Sequence, residues 1–399
     1  MARALRLAAR GLFTTHPNPH VGCVIVRDGA IVGEGWHQRA GEPHAEVFAL
    51  RAAGERARGA TAYVTLEPCA HRGRTPPCAD ALLAAGVARV VMAAEDTNPR
   101  AGGGAARLRA AGVAVESGLM RAAARELNRG FFSRFERGRP WVRVKLAMSV
   151  DGRTALANGD SKWITGEPAR ADVARWRARS SAILTGAGTT RADNPRLTVR
   201  LRAEVPSPAG RGCREAAGEG SLPRSAAAST STVPLPPAPL PGGDGRNFVP
   251  PLRVVLDARL DAVPAGANLL DGSASTLVLH APDAVAADGR YAGVERASVA
   301  LGADGRLDLP AVLHMLAARR VNELQVEAGP TLCGALLERG LVDELLLYVA
   351  PTFLGDAARA LLALPPLSDM AARVHLRVIE RRRIGADLRV LLRPVAAQL

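Results

Sequence analysis

One imidazole, one carboxylate and two thiols occur in a compact pattern in this chain: His44, Glu46, Cys69 and Cys78. A His with two Cys is a three-ligand zinc set. Three protein ligands leave the fourth position open, which is the catalytic rather than the structural arrangement. Glu46 stands two residues beyond His44 and Pro68 precedes Cys69, the His-x-Glu…Pro-Cys spacing of zinc-dependent base deamination. In that chemistry the Glu is not a ligand. It takes a proton from the activated water and returns one to the leaving amine, while zinc brings the water's pKa to about 7 so that hydroxide exists at neutral pH. Taken singly these residues read more plainly, a lone His as a satisfied polar group and a lone Cys as a small hydrophobe. Their order, with Pro68 in place, is what carries the reading. The general signature has two residues between its cysteines. Here residues 70–77 intervene, and they include His71, Arg72 and Arg74, suited to gripping an anionic substrate beside the metal.

The elements that must position these groups follow from apolar period and turn signals. Apolar spacing predicts a helix over 2–14, stopped by Pro17 and Pro19. Strands are expected at 21–26 and 31–36 around an Asp28-Gly29 turn. A helix over 44–57 carries His44 and Glu46 in its first turn. A strand at 62–66 leads to Cys69, and Cys78 opens a helix over 79–85, where the helix N-terminus favours a thiolate. Strands at 87–93 and 113–117, and helices over 105–111 and 119–134, complete an α/β sandwich. Asn18 before the first strand and His37 after the second are substrate candidates, with turn chemistry as the plainer alternative.

A second domain begins near Pro140. Strands are expected at 141–148, 182–186, 252–257, 276–280, 297–301, 323–327 and 341–350, with an Arg-laced antiparallel pair at 376–381 and 388–393. Helices are expected over 168–179, 311–320 and 331–339. The last follows the turn Ala328-Gly329-Pro330, and its first N–H groups could meet a phosphate. Gly186-Ala187-Gly188 is not a dinucleotide fingerprint, because Arg191 stands where the third Gly belongs. Residues 201–250, rich in Pro, Ser and Gly without apolar period, are expected to be a disordered insertion.

Composition narrows the function classes. A 399-residue chain with 48% hydrophobic and 23% charged residues suits two or three globular domains. The net charge is +14, yet 50 of the 52 basic residues are Arg, no five basic residues run together, and aromatics are only 4%. That is a compositional bias rather than a nucleic-acid surface. Five scattered cysteines are no disulfide framework. No signal peptide and no 18-residue apolar run is present. A cytoplasmic protein is expected, with no nucleic-acid or membrane partner.

Beyond this point the chain resembles a known family, the bifunctional deaminase/reductase of bacterial riboflavin biosynthesis, over nearly its whole length except 201–250. The carrying motifs are Thr15-His16-Pro17-Asn18-Pro19, Val21-Gly22-Cys23, Pro43-His44-Ala45-Glu46 and Leu66-Glu67-Pro68-Cys69 through Thr75-Pro76-Pro77-Cys78. In the second half they are Lys145-Leu146-Ala147, Asp151-Gly152-Arg153, Ser161-Lys162-Trp163-Ile164-Thr165, Asp193-Asn194-Pro195 and Glu327-Ala328-Gly329-Pro330-Thr331-Leu332. The resemblance implies a cytidine-deaminase-like α/β/α sandwich over 1–138, followed by a dihydrofolate-reductase-like α/β domain over 139–399. It implies zinc, NADPH, a small phosphorylated pyrimidine substrate and a homo-oligomer. The eight-residue cysteine spacing is a feature of the family. Asn18, His71 and Arg74 match its deaminase pocket. Ser161, Arg177, Leu197, Arg200 and Glu327 match reductase substrate positions. Ala147, Trp163, Thr189, Asp193 and the turn bearing Gly329, Pro330, Thr331 and Leu332 match NADPH positions. Ala258 stands where a cofactor-contacting Ser is common. The chain begins at what is usually an internal Met of the first helix, so a few preceding residues are expected.

Lys145 draws attention on other grounds. Only two lysines, 145 and 162, survive in an Arg-dominated chain. A compact ammonium that can release its proton is chemically distinct from a guanidinium. Lys145 is therefore expected to be catalytic, with Glu327 as charge partner. The alternative for the whole chain is a zinc-dependent nucleic-acid base deaminase with a basic accessory domain.

Overall fold

The structure, a computed structural model, describes residues 1–72, 76–200 and 248–395. In the first part, α1 (Ala2–Ala8), β1 (Gly22–Arg27), β2 (Ala30–Trp36), α2 (Ala45–Ala53), β3 (Thr61–Val64), α3 (Cys78–Ala84), β4 (Arg89–Met92), α4 (Gly104–Ala110) and β5 (Ala114–Ser117) alternate around one sheet. Its order is β2-β1-β3-β4-β5. β1 is antiparallel to β2 and β3, and the rest run parallel. Ile25, Ala62, Val64, Val90 and Met92 bury themselves against Ala49, Leu82 and Leu108 of the covering helices.

The closeness of α2 to the sheet has a specific cause. A Cβ on Gly33 would come within 2.2 Å of Ala49 O, and one on Gly35 within 2.4 Å of Ala45 O. Glycine on β2 and alanine on α2 let the two backbones approach. The start of α2, with His44 and Glu46, is thereby held against the strand ends.

Two helices, α5 (Arg121–Leu127) and α6 (Arg129–Arg137), lead out of this unit. The sequence predicted one helix there. It breaks at Asn128, whose side chain accepts His20 N–H (2.7 Å) and donates to His20 O (2.9 Å), so a tertiary contact overrides local propensity.

The second part contains β6 (Trp141–Ser149), β7 (Arg153–Ala155), α7 (Glu167–Arg179), β8 (Ala182–Gly186), α8 (Ala187–Asp193), β9 (Leu252–Leu256), β10 (Thr276–His280), β11 (Glu295–Ser298), α9 (Leu309–Ala318), β12 (Glu323–Val326), α10 (Pro330–Glu338), β13 (Glu344–Ala350), β14 (Arg359–Ala360), β15 (Leu376–Ile384) and β16 (Asp387–Pro394). Nine strands form one sheet in the order β11-β10-β9-β8-β12-β6-β13-β16-β15. The first seven are parallel, and β16 and β15 close the edge antiparallel. The parallel strands are apolar on both faces, as burial between two layers requires. Val144, Leu184, Leu324 and Val326 pack toward α9 and α10, and Ile183, Val255 and Val278 pack toward the other side. Short β7 and β14, unforeseen from sequence, pair with each other apart from the main sheet.

The expectation of a disordered 201–250 is overturned at its end. Phe248 packs with the first domain's core, and Val249 N–H donates to Phe13 O at 2.8 Å. Residues 201–247 lie outside the described residues.

The two parts share a buried charged seam. Arg143 donates to Glu344 (2.8 Å) and Glu323 (2.7 Å). Arg129 reaches Glu344 at 3.1 Å, and Arg179 reaches Glu323 at 3.0 Å. The buried Arg129 and Arg143 and the partly buried Arg179 are thus held in ion pairs rather than presented to solvent.

Candidate active sites

In the first domain the loop after β3 and the N-termini of α2 and α3 converge. They bring the donor atoms of His44, Cys69 and Cys78 within 4.8 Å of one another. His44 Nδ1 lies 3.2 Å from Cys78 Sγ and 3.6 Å from Cys69 Sγ. Those separations suit three corners of a zinc tetrahedron with bonds of about 2.0–2.3 Å. The Cys69 thiol is pushed down to about 4, first by its hydrogen bond with Cys78, then with help from His44 and the Cys78 N–H. The same contact and burial push Cys78 up. The pair is therefore disposed to share one proton between its two sulfurs, which with the His44 ring would hold a divalent cation. Cys23 and Cys333 lie elsewhere, buried in the two cores.

Glu46 is 3% exposed, and its Oε2 has no hydrogen-bond partner. Burial raises its pKa, against the opposing pull of His44. A buried carboxyl with one oxygen unpartnered, beside three metal donors, is what a proton shuttle requires, so the residues fit zinc together with a reacting water. His37 is neutral at neutral pH, because burial pushes it down to about 4. Its Nδ1 lies 3.2 Å from Pro43 O and its Nε2 3.1 Å from Asn18 Nδ2. Nδ1 therefore carries the proton, and Nε2 accepts from the Asn18 amide. That leaves Asn18 Oδ1 as the free acceptor. His71 is exposed at the loop. Arg74 lies outside the described residues.

Glu67, read in the sequence only as part of a motif, organises the neighbouring wall. Its carboxylate accepts N–H groups of Asp96 (3.2 Å), Gly103 (3.1 Å) and Ala105 (2.9 Å). A Glu flanking a ligand-bearing Pro-Cys pair is the only sequence signal of that role.

In the second domain a cleft of about 2100 Å³ opens along the C-terminal ends of the parallel strands, where open α/β sheets bind ligands. Lys145, Ala147, Ser161, Trp163, Arg177 and Thr189 line it. So do Asp193, Leu197, Arg200, Ala258, Glu327 and the turn from Gly329 to Leu332. All the predicted reductase residues are thus brought together. Two need correction in detail. Leu197 lines the cleft but is 2% exposed, and it packs in the core with Ile183 and Val255. Lys145 is not Glu327's contact partner. Extending the β6–β12 register sets the two side by side, but the Glu327 carboxylate is gripped by Arg177 (2.7 and 2.8 Å) and Gln325 (2.8 Å). Burial opposes ionisation of Glu327, yet Arg177, followed by Lys145, holds it down to about 2. Arg177 has the better reach because its fork matches a carboxylate.

Lys145 makes no ion pair within 4.0 Å among the described residues, and burial lowers its pKa against the pull of Glu327. It is a cation inclined to release its proton. Gln325 was missed, although Glu-Leu-Gln-Val-Glu puts polar residues at alternate positions of a central strand, which is itself a signal. Arg170 was missed too; its guanidinium stands 4.4 Å over the ring of Trp163, which is 72% exposed.

The cofactor positions also fit. Gly329 caps α10, its N–H donates to Thr189 Oγ1 (3.1 Å), and a Cβ at Gly188 would meet nothing within 4 Å. Open space over glycine backbone at a helix N-terminus admits a diphosphate.

A zinc-type deaminase fold joined to a dihydrofolate-reductase-like domain in one chain defines a bifunctional deaminase/reductase. Residues 1–94 match the cytidine and deoxycytidylate deaminase zinc-binding region, and residues 140–390 match the RibD C-terminal domain. The chain is 47% identical to the riboflavin biosynthesis protein RibD of Escherichia coli K12 over 97% of this chain and 96% of that one. It is 38% identical to RibD of Bacillus amyloliquefaciens over 99% and 95%. The solved structure of Acinetobacter baumannii RibD superposes with a TM-score of 0.82 at 40% identity, covering 98% and 97% of the two chains. The chain belongs to the RibD family, the deaminase/reductases of riboflavin biosynthesis, which use zinc and NADPH.

Proposed function

We propose that residues 1–138 deaminate 2,5-diamino-6-ribosylamino-4(3H)-pyrimidinone 5′-phosphate and that residues 139–399 then reduce its ribosyl group to ribityl. The observation that carries the reading is the buried Glu46 carboxyl, its Oε2 unpartnered, beside His44, Cys69 and Cys78, in one chain with a cleft holding Lys145 and the Arg177–Glu327 pair.

His44, Cys69 and Cys78 would hold the zinc, which supplies Lewis acidity and an acidified water. Glu46 accepts a proton from the attacking water. Its raised pKa makes it equally ready to hand that proton to the departing amino nitrogen, so the C–N bond breaks with ammonia as product. Asn18 Oδ1 accepts from the pyrimidine, and His71 and Arg74 are the residues whose positions in the sequence match the family's deaminase pocket. In the second site the turn from Gly329 to Leu332, with Ala147, Trp163, Thr189 and Asp193, would hold NADPH, which supplies hydride. Lys145 gives its proton to the sugar ring oxygen as the ribose opens. Arg177 keeps Glu327 ionised and oriented as an acceptor for a sugar hydroxyl, while Ser161 and Arg200 hold the phosphorylated end.

A single experiment separates the steps. Protein containing one zinc per chain is mixed with the diaminopyrimidinone phosphate, and ammonia and NADPH absorbance are followed. Ammonia should appear with or without NADPH, and NADPH should be consumed only after deamination. NADPH oxidation without ammonia release would refute the order.

We also propose a homo-oligomer joined through β15. Among the described residues this edge strand pairs only with β16, and Leu376, Val378 and Ile379 on it are 38–45% exposed. Open apolar edges of this kind are pairing surfaces. Val378→Lys should lower the mass seen by light scattering. An unchanged mass would remove β15 from the interface. Among the described residues no helix is long and apolar enough to cross a membrane, and Arg129, Arg143 and Arg389 are buried in ion pairs; a cytoplasmic enzyme acting on small molecules is in keeping with both.

A further inference from the structure

The loop that carries Asn18 is anchored as much by the reductase domain as by its own. Within its own domain, Asn18 N–H donates to Thr15 O (2.7 Å), and Thr15 Oγ1 sits 2.7 Å from His20 Nδ1. From the other domain, three groups reach in. His16 Nε2 lies 2.8 Å from Arg179 O. A carbonyl only accepts, so Nε2 carries the proton. Burial disfavours a charged ring, which leaves Nδ1 as an acceptor for Ser181 Oγ at 3.1 Å. Ser181 Oγ itself accepts the N–H groups of Asn322 (3.1 Å) and Glu323 (3.2 Å). Asn322 Nδ2 then donates to Pro17 O at 3.0 Å, directly before Asn18. From His16 to Pro17 each hydrogen has one assignment, while Asn322 Oδ1 is left without a partner.

The seam has little slack. His16 is 8% and Asn322 5% exposed. The void bounded by His16, Asn18, His20, Asn128 and Asn322 is about 10 Å³, room for about one water. Interiors packed this closely transmit displacement instead of absorbing it.

We infer that Ser181 and Asn322 of the reductase domain, acting through His16 and Pro17, are positioning residues for the deaminase pocket, setting where Asn18 meets the pyrimidine. The inference rests on the reading of Asn18 as a substrate contact. It makes the first domain's pocket incomplete without the second, although no second-domain residue touches the deaminated carbon.

The test uses the full chain. Ser181→Ala and Asn322→Ala should each raise KM for deamination about fivefold, the effect of one neutral hydrogen bond's worth of positioning. The kcat should change little, and zinc content and reduction of pre-deaminated substrate should not change. Ser181→Thr keeps the hydroxyl and should restore KM. Wild-type deamination KM in both alanine variants, in a protein where Asn18→Ala does raise KM, overturns the inference. So does an equal loss of both activities, which would mark a purely structural role. If Asn18→Ala itself leaves KM unchanged, the substrate reading of Asn18 falls and this inference falls with it.

Discussion

At the scale of single residues, the two sites use opposite devices to place a proton. Burial raises the pKa of Glu46, one oxygen of which is unpartnered, so it readily keeps a proton it has taken up. Burial lowers the pKa of Lys145, so it readily gives up the proton it carries. Glu46→Gln should retain one zinc per chain, because Glu46 is no ligand, and should lose deamination by about a hundredfold or more, as loss of a general acid/base does. Reduction of pre-deaminated substrate should be unaffected, and a parallel loss of both activities would break the two-site account. Lys145→Arg should fold and bind NADPH but lose most reductase turnover, since a guanidinium scarcely gives up its proton and would compete with Arg177 for Glu327. Retention of the wild-type reduction rate would take Lys145 out of the chemistry. Each activity is the internal control for the variant that removes the other.

At the scale of elements, catalytic groups sit where strands end and helices begin. His44 is the N-cap of α2, Cys78 opens α3, and Gly329 caps α10. Their precision depends on how tightly each helix seats. For α2 the seat is glycine on β2. Gly35→Ala would place a Cβ 2.4 Å from Ala45 O, and backbone cannot yield as a side chain can. The variant should lose about 1–3 kcal/mol of stability, the cost of overpacking. It should also surrender zinc to a chelator faster than wild type, because Ala45 adjoins His44. Zinc release at the wild-type rate would mean that α2 shifts without moving the ligand.

At the scale of the whole molecule, acid should separate two sets of buried groups. Burial pushes His20 down to about 3 and His37 down to about 4. A histidine kept neutral in the folded state begins to cost stability once pH falls below its unfolded value of about 6.5. Glu344 behaves differently. Burial opposes its ionisation, but Arg129, Arg143 and Arg393 hold it down to about 2, so its contribution is present above about 4.5 and lost as pH falls toward 2. Denaturation midpoints should therefore decline gently from about pH 6.5 and steeply below about 4.5. Glu344→Gln should remove part of the steep phase and cost about 3–5 kcal/mol at neutral pH, because it strands buried arginines. A midpoint flat between pH 6.5 and 4.5 would contradict the buried neutral imidazoles.

The metal centre was legible in the sequence because its chemistry is local in kind. His44, Glu46, Cys69 and Cys78 are rare residue types in an order that few other demands produce, and they announce themselves before any folding is considered. Most elements were legible too, since apolar periods of 2 and 3.6 reflect the faces that must be buried. What the tertiary structure decided concerns partners. Nothing in the one-dimensional order says that Arg177 rather than Lys145 grips Glu327, or that Leu197 turns into the core. Nor does it say that Asn128 breaks a helix to hold His20, or that Phe248 returns to the first domain. Each is a competition among groups brought together from distant positions and won on distance, shape and desolvation. Those quantities exist only once β6, β12 and α7 lie side by side.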